Sequence, residues 1–225
     1  MTESQPRRRR PAAPSIPIPT SVWNAGPTPL ATTGYGPLPL LSRAVREFLR
    51  PKGFFLLAAL TPQQEALAPR VLAPLFTELC QYLPRRGGKA TASPLALPSA
   101  NDPADLIVAS LLPPMPTPCD TDTLARMTFG AAEKLRPGGI LTVLSQHSHD
   151  RNGRLIDPTG PLVNAAQSAD LLYLSHIVAA PLLGDTIAAE AATETTGHHL
   201  RAHLDLSVFL NPDHGHPATA LGQAA

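Results

Sequence analysis

A chain of 225 residues, 43% of them hydrophobic, has room for one domain with a sizeable core, and a second full domain is not expected. Only 4% of the residues are aromatic, so that core must be built from Leu, Ala, Val and Ile. The formal net charge of +1 gives no whole-protein electrostatic case for nucleic acid, and the two cysteines, Cys80 and Cys119, make neither a disulfide framework nor a metal spacing. No apolar run reaches the roughly 18 residues of a membrane span, so a cytoplasmic protein in a reducing compartment, without membrane contact, is expected.

Residues 1–20 hold Arg7 to Arg10 and a run of prolines, and they predict a disordered basic tail. Such a tail is either solvated or an arm that touches phosphates. A single domain is expected over 21–210, with a loose tail over 211–225. Ser21-Val22-Trp23 and the turns through Gly34-Tyr35-Gly36-Pro37 come first, and Trp23 is expected to pack this arm onto the domain. Leu41, Val45, Phe48 and Leu49 form one stripe of a helix over 38–49. The apolar run Phe54 to Leu60 predicts a strand buried on both faces.

Thr61 can cap the next helix, with Pro62 at its first position and Gln64 three residues after the cap. That helix is expected to reach about Leu83, kinked or split by Pro69 and Pro74. Residues 89–103 are indistinct, with one short strand expected near Leu95 to Leu97. Asp105 to Ser110 predicts a second buried strand, and a proline-rich loop follows it over 111–118. Asp120 or Thr121 caps a helix through Leu135, whose inner face carries Leu124, Met127 and Ala131. Arg136-Pro137-Gly138-Gly139 is read as the turn into a third strand, Ile140 to Ser145. A polar loop over 146–153, a helix over 161–169 and strands over 171–179 and 202–210 complete the pattern. No strong helix separates the last two strands, so an antiparallel pair is expected there. Strands alternating with helices predict an α/β domain with a mostly parallel sheet.

Leu135-Arg136-Pro137-Gly138-Gly139 before a strand resembles the turn before the fifth strand of class I S-adenosylmethionine-dependent methyltransferases. Ser21-Val22-Trp23, Arg50-Pro51-Lys52-Gly53, Ala104 to Ser110 ahead of a double proline, and Gly153 to Asp157 follow in order. Together they are similar to actinobacterial DNA amino-methyltransferases, which methylate exocyclic amines of adenine or cytosine. The resemblance is loose over about 22–60 and closer over about 104–210. It implies a Rossmann-like methyltransferase fold with a mostly parallel sheet and an antiparallel last strand. It also implies S-adenosylmethionine as cofactor and DNA as a partner. By resemblance, Ser110, Pro113 and Pro114 would be catalytic, and Ala58, Ala59 and Thr61 would line the cofactor.

The chain departs from that family at its chemical positions. An acid and a glycine-rich loop should follow the first strand, so that the backbone can approach the cofactor. Here Leu57 to Gln64 contains neither glycine nor acid, and Pro62 removes an amide. The stretch between Leu60 and Asp105 is too short for two further strand–helix units, so the fold is expected to be truncated between its first and fourth strands. In the catalytic loop two leucines separate Ser110 from Pro113-Pro114, and Met115 replaces the aromatic that would stack on a flipped base. The expected function is therefore a methyltransferase-fold protein that has lost catalysis and acts by binding DNA or a protein partner. An active methyltransferase on a nucleic-acid or small-molecule amine is one alternative, and an interaction protein without a ligand is another.

Three further groups bear on chemistry. His198, His199 and His203 are read as solvated, because His199 and His203 are spaced for a helix where the sequence alternates as a strand. No metal site is expected. The group His147, His149, Asp150 follows the carboxyl end of a central strand, where α/β sheets place ligands, or it is a surface loop. With Asp120 and Asp122, it supplies the only polar candidates for a replacement cofactor set.

Overall fold

Continuous apolar runs suit strands covered on both faces, and the three such runs in this chain lie side by side in one sheet. The computed structural model describes residues 21–26, 34–51, 53–80, 89–94, 103–113, 115, 119–183, 186–187 and 203–213. Residues 1–20, Leu95 to Leu97, Pro114, His198, His199 and residues 214–225 lie outside them. In chain order the elements are β1 (Val22–Asn24), α1 (Leu38–Phe48), β2 (Phe54–Ala59), α2 (Pro62–Cys80), β3 (Lys89–Pro94), β4 (Ala104–Ser110) and α3 (Thr121–Lys134). They continue with β5 (Leu135–Ser145), β6 (Ser148–His149), β7 (Leu155–Ile156), α4 (Thr159–Ser168), β8 (Leu172–Ala180), β9 (Leu182–Leu183), β10 (Thr186–Ile187) and β11 (Leu204–Leu210).

Seven strands form the main sheet in the order β1-β8-β11-β5-β4-β2-β3. Neighbours pair in parallel except β11, which runs antiparallel to both β5 and β8. Helices α1 and α2 cover one face through Leu40, Leu41, Val45, Ala68 and Leu75. Helices α3 and α4 cover the other through Leu124, Met127, Ala131, Leu162 and Ala166. Among the described residues one strand, β3, stands between β2 and β4 in the chain, in keeping with the expected truncation. No helix among the described residues is long and apolar enough to cross a membrane.

Several local readings are corrected. Helix α2 is not split, although Pro69 and Pro74 lie inside it. Both prolines are exposed, and the carbonyls they leave without a helical donor belong to Glu65 and Arg70, also at exposed positions open to solvent. The strand β3 covers Lys89–Pro94, while the one expected over Leu95 to Leu97 falls outside the described residues. Leu135 to Gly139 is the start of β5 rather than a turn before it. Gly138 adopts φ +75°, and the Ala104–Leu106 pairing slips there. Arg50 Nη2 donates to the Gly138 carbonyl at 2.9 Å, and a Cβ on Gly138 would come within 2.6 Å of that nitrogen. Asn211 is not part of a loose tail: its amide bonds to Gly139 and its side chain to the Leu135 carbonyl, each at 2.9 Å.

The polar loop over 146–153 contains β6, which pairs antiparallel with β7. The Asp150 carboxylate holds its turn by accepting from the amides of Asn152 and Arg154, both at 2.8 Å. At the other edge, β1 adds to β8, a strand too short to leave a periodic signal. Trp23 packs as expected, stacked on Phe48 with Arg43 4.4 Å over its ring.

Asp120 is the N-cap of α3, accepting from the Thr123 amide at 2.8 Å. Cys119 precedes it. A helix N-terminus ordinarily favours a thiolate, but here burial and the neighbouring Asp120 push the thiol up to about 11. At about pH 8 the thiolate fraction would be on the order of one in a thousand. Iodoacetamide at that pH, followed by peptide mapping, is expected to label Cys119 far more slowly than an ordinary thiol. Labelling at the rate of a free cysteine would contradict the buried setting.

Candidate functional site

An open α/β sheet offers a ligand the crevice outside the carboxyl ends of its strands. Here β2, β4 and β5 end at Ala59, Ser110 and Ser145. Gln64, in the first turn of α2, lies fully buried between the first two. Its Nε2 donates to the Ser110 carbonyl at 2.9 Å, and its Oε1 accepts from the Leu60 amide at 2.8 Å. Its own amide donates to Thr61 Oγ1 at 3.2 Å. The Ser110 hydroxyl is also fully buried; it donates to the Gly34 carbonyl at 2.7 Å and accepts from the Leu112 amide at 3.2 Å. Gly34 donates to the Pro113 carbonyl at 2.6 Å.

Residues 34–36 thus cross the strand ends. Gly34 and Gly36 take left-handed angles, φ +66° and +77°. A Cβ on Gly36 would lie 2.8 Å from a Leu144 methyl, so the backbone itself fills this space. Tyr35 is buried, with its hydroxyl donating to the Gln64 carbonyl at 3.4 Å. Burial, and then the charge of Glu65, raises its pKa well above the ordinary phenol range. Leu111, Leu112 and Met115 turn inward and close the crevice further.

A second polar group forms beside the carboxyl end of β5. Strand β11 is antiparallel, so its first residues lie beside the end of β5, with Asp205 opposite Ser145. Asp205 is buried between the two helical layers, which demands compensation for its charge. Three histidines converge on it. His176 Nε2 lies 2.7 Å from Oδ1, His203 Nε2 3.6 Å from Oδ1, and His147 Nδ1 3.0 Å from Oδ2. The other ring nitrogen of His147 lies 3.3 Å from Asp157, whose carboxylate also accepts from the Thr159 amide at 2.8 Å. Burial pushes the Asp157 carboxyl up, but the hydrogen bonds from Thr159 and the charges of His147 and His176 outweigh it and hold it below the usual range.

The antiparallel insertion of β11 between β5 and β8, within an otherwise parallel sheet, decides the architecture. It is a Rossmann-like methyltransferase fold. Comparison with solved structures finds similar chains, several of them methyltransferases. The N-methyltransferase NodS from Bradyrhizobium japonicum WM9 is 18% identical, with 77% of this chain and 93% of that chain covered at a TM-score of 0.41. The 1,6-didemethyltoxoflavin-N1-methyltransferase from Burkholderia thailandensis is 15% identical, with 78% of each chain covered and a TM-score of 0.41. The [4+2]-cyclase SpnF is 16% identical, with 77% of this chain and 80% of that chain covered at 0.44. No family model and no curated protein matches the sequence. At these identities the fold assignment stands on the strand order itself.

The methyltransferase fold places the expected site residues as follows. Ala58 and Ala59 are buried in the sheet, and Thr61 is half-buried with its hydroxyl occupied by the Gln64 amide. Ser110 is sealed by Gly34, and Pro113 presents its carbonyl to the same residue. Asp120 caps α3, and Asp122 stands in that helix's first turn. The residues after β2 offer S-adenosylmethionine few free donors. Pro62 has no amide, the amides of Leu60 and Gln64 are already bonded, and no Asp or Glu occurs between residues 89 and 101 to hold the ribose. Of the histidines singled out in the sequence, His147 and His203 come together, and His149 stands on β6. The reading of residues around His147 missed His176, Asp157 and Asp205. A buried carboxylate in the alternation of β11 was the signal that could have found them.

Proposed function

We propose that this protein is a methyltransferase-fold module that does not transfer methyl groups and acts by binding. The observation that carries the reading is the filled crevice: Gln64, Ser110 and the Gly34–Gly36 backbone satisfy one another where a cofactor would otherwise bond. The family resemblance makes DNA the partner to test first, with a protein partner as the other outcome. S-adenosylmethionine is the cofactor implied by resemblance, and two neighbouring structures, of NodS and of the 1,6-didemethyltoxoflavin-N1-methyltransferase, contain S-adenosylhomocysteine. Losing one charged hydrogen bond costs about 1.5–3 kcal/mol, so two such losses take a micromolar site towards the millimolar range.

Calorimetric titration of the full chain with S-adenosylmethionine is therefore expected to give a millimolar Kd or no heat. A Kd in the low micromolar range, or methyl transfer to duplex DNA, would overturn this reading and make the protein an active enzyme.

A further inference from the structure

We propose that His147, His203 and Asp205 form a binding site for one divalent transition-metal ion of the zinc type, with Asp157 and His176 holding the ligands in place. The site lies beside the carboxyl end of β5, on the side away from Ser110. The ligand atoms of His147, His203 and Asp205 all lie within 4.8 Å of one another. Zinc bonds of about 2.0–2.1 Å to nitrogen and oxygen place tetrahedral ligands about 3.4 Å apart. Asp205 meets the two histidines through different oxygens, His147 Nδ1 at 3.0 Å from Oδ2 and His203 Nε2 at 3.6 Å from Oδ1, so its carboxylate lies between the two imidazoles at spacings near that value.

The supports are rigid. His203 immediately precedes β11 and Asp205 is its second residue, so an extended backbone, with its period of two, puts both on one face. His147 follows β5, which is hydrogen-bonded to β11 at Asp205. A buried oxygen points to the ion as well. Asp205 Oδ2 is fully buried and has no hydrogen-bond partner among the described residues, although His147 Nδ1 is only 3.0 Å away. The pair is close but lacks the alignment of a hydrogen bond, and a cation bonded to both would satisfy both. Ser145 Oγ and Ser207 Oγ, on the same faces of β5 and β11, are likewise buried without a hydrogen-bond partner among the described residues.

The surrounding groups match what a metal-bound imidazole needs. Asp157 lies on the His147 nitrogen that faces away from Asp205, an arrangement that fixes the ring and strengthens its donor nitrogen. His176 lies 2.7 Å from the other Asp205 oxygen and orients the carboxylate. Two imidazoles and one carboxylate favour zinc, nickel, copper or iron over magnesium and calcium, which prefer all-oxygen sets. Three protein ligands leave a coordination position for water or an exogenous ligand.

The test uses the full chain stripped with a chelator and titrated with Zn²⁺ by calorimetry. One equivalent is expected to bind with a Kd of about 1 μM or tighter. His147→Ala and His203→Ala should each weaken binding at least about 100-fold, and Asp157→Asn about 10-fold. His198→Ala combined with His199→Ala should change it by less than about 3-fold. Co²⁺ added to the unmutated chain should give the visible bands of a four-coordinate ion, a readout that does not depend on any variant folding. No binding at about 100 μM Zn²⁺, affinity unchanged by His203→Ala, loss of the site only in the His198/His199 double variant, or no visible Co²⁺ bands would each overturn the assignment.

Discussion

Leu57→Asp is expected to abolish folding. Leu57 is fully buried at the middle of β2, paired with Ala92 of β3 on one side and Val108 of β4 on the other. Its side chain belongs to the apolar cluster under α1 and α2, beside Leu40, Leu41, Val45 and Leu106. Removing a buried leucine costs about 2–5 kcal/mol through lost contacts and the cavity left behind. An unpaired carboxylate there adds several kcal/mol more, or the group must stay protonated at a similar cost. The sum reaches the whole stability of a typical domain, about 5–15 kcal/mol. Circular dichroism should show no cooperative thermal transition for this variant. Phe129→Asp is the control, because Phe129 is 49% exposed on α3, and it should melt close to the parent. An unchanged Tm for Leu57→Asp would mean that β2 is not a central strand.

What the sequence made legible follows from which physical signals survive without neighbours. Strands β2, β4 and β5 could be read because a strand covered on both faces needs an unbroken apolar run. The helices could be read because one apolar stripe repeats with their turn. The turn chemistry at Asp120 and Thr61 was equally local, and both side chains do cap helices. Strands β1 and β3 could not be read, since three residues carry no period and Lys89 to Pro94 is neither alternating nor apolar. Prolines 69 and 74 suggested a broken helix, but their cost depends on exposure, which only the packed structure shows.

The polar sites show the same division. The loss of the glycine loop was visible in Leu57 to Gln64, whereas its replacement by Gly34, Tyr35 and Gly36 depends on residues far apart in the chain. His203 was grouped with its sequence neighbours, yet its described partners are His147 across the strand and Asp205 two residues on. In Leu204 to Leu210 the polar Asp205 and Ser207 alternate with apolar residues, a pattern that by itself does not show which face is covered. Helices cover both faces of this sheet, so those side chains are buried, and the carboxylate gathers histidines.

Gln64→Ala is expected to lower stability by about 2–4 kcal/mol. The wild-type amide joins the ends of β2 and β4 by accepting from the Leu60 amide and donating to the Ser110 carbonyl. Alanine removes both partners at once and leaves two backbone groups unsatisfied at the closed end of the sheet. Each such group costs about 1–3 kcal/mol when water cannot reach it. Water entering the space vacated by the side chain recovers part of that cost, so the total falls below the sum of the extremes. For a domain of this size the loss corresponds to a fall in Tm of about 5–15 °C. Gln64→Glu distinguishes the two bonds: a carboxylate still accepts from Leu60 but meets the Ser110 carbonyl with no proton to donate. It should therefore be destabilised at about pH 8 and recover as the pH falls and the side chain takes up a proton. If Gln64 were instead a ligand for a cofactor, both variants would melt like the parent and differ only in binding. A Tm within about 1 °C of the parent for Gln64→Ala would show that the crevice is not held shut by this network.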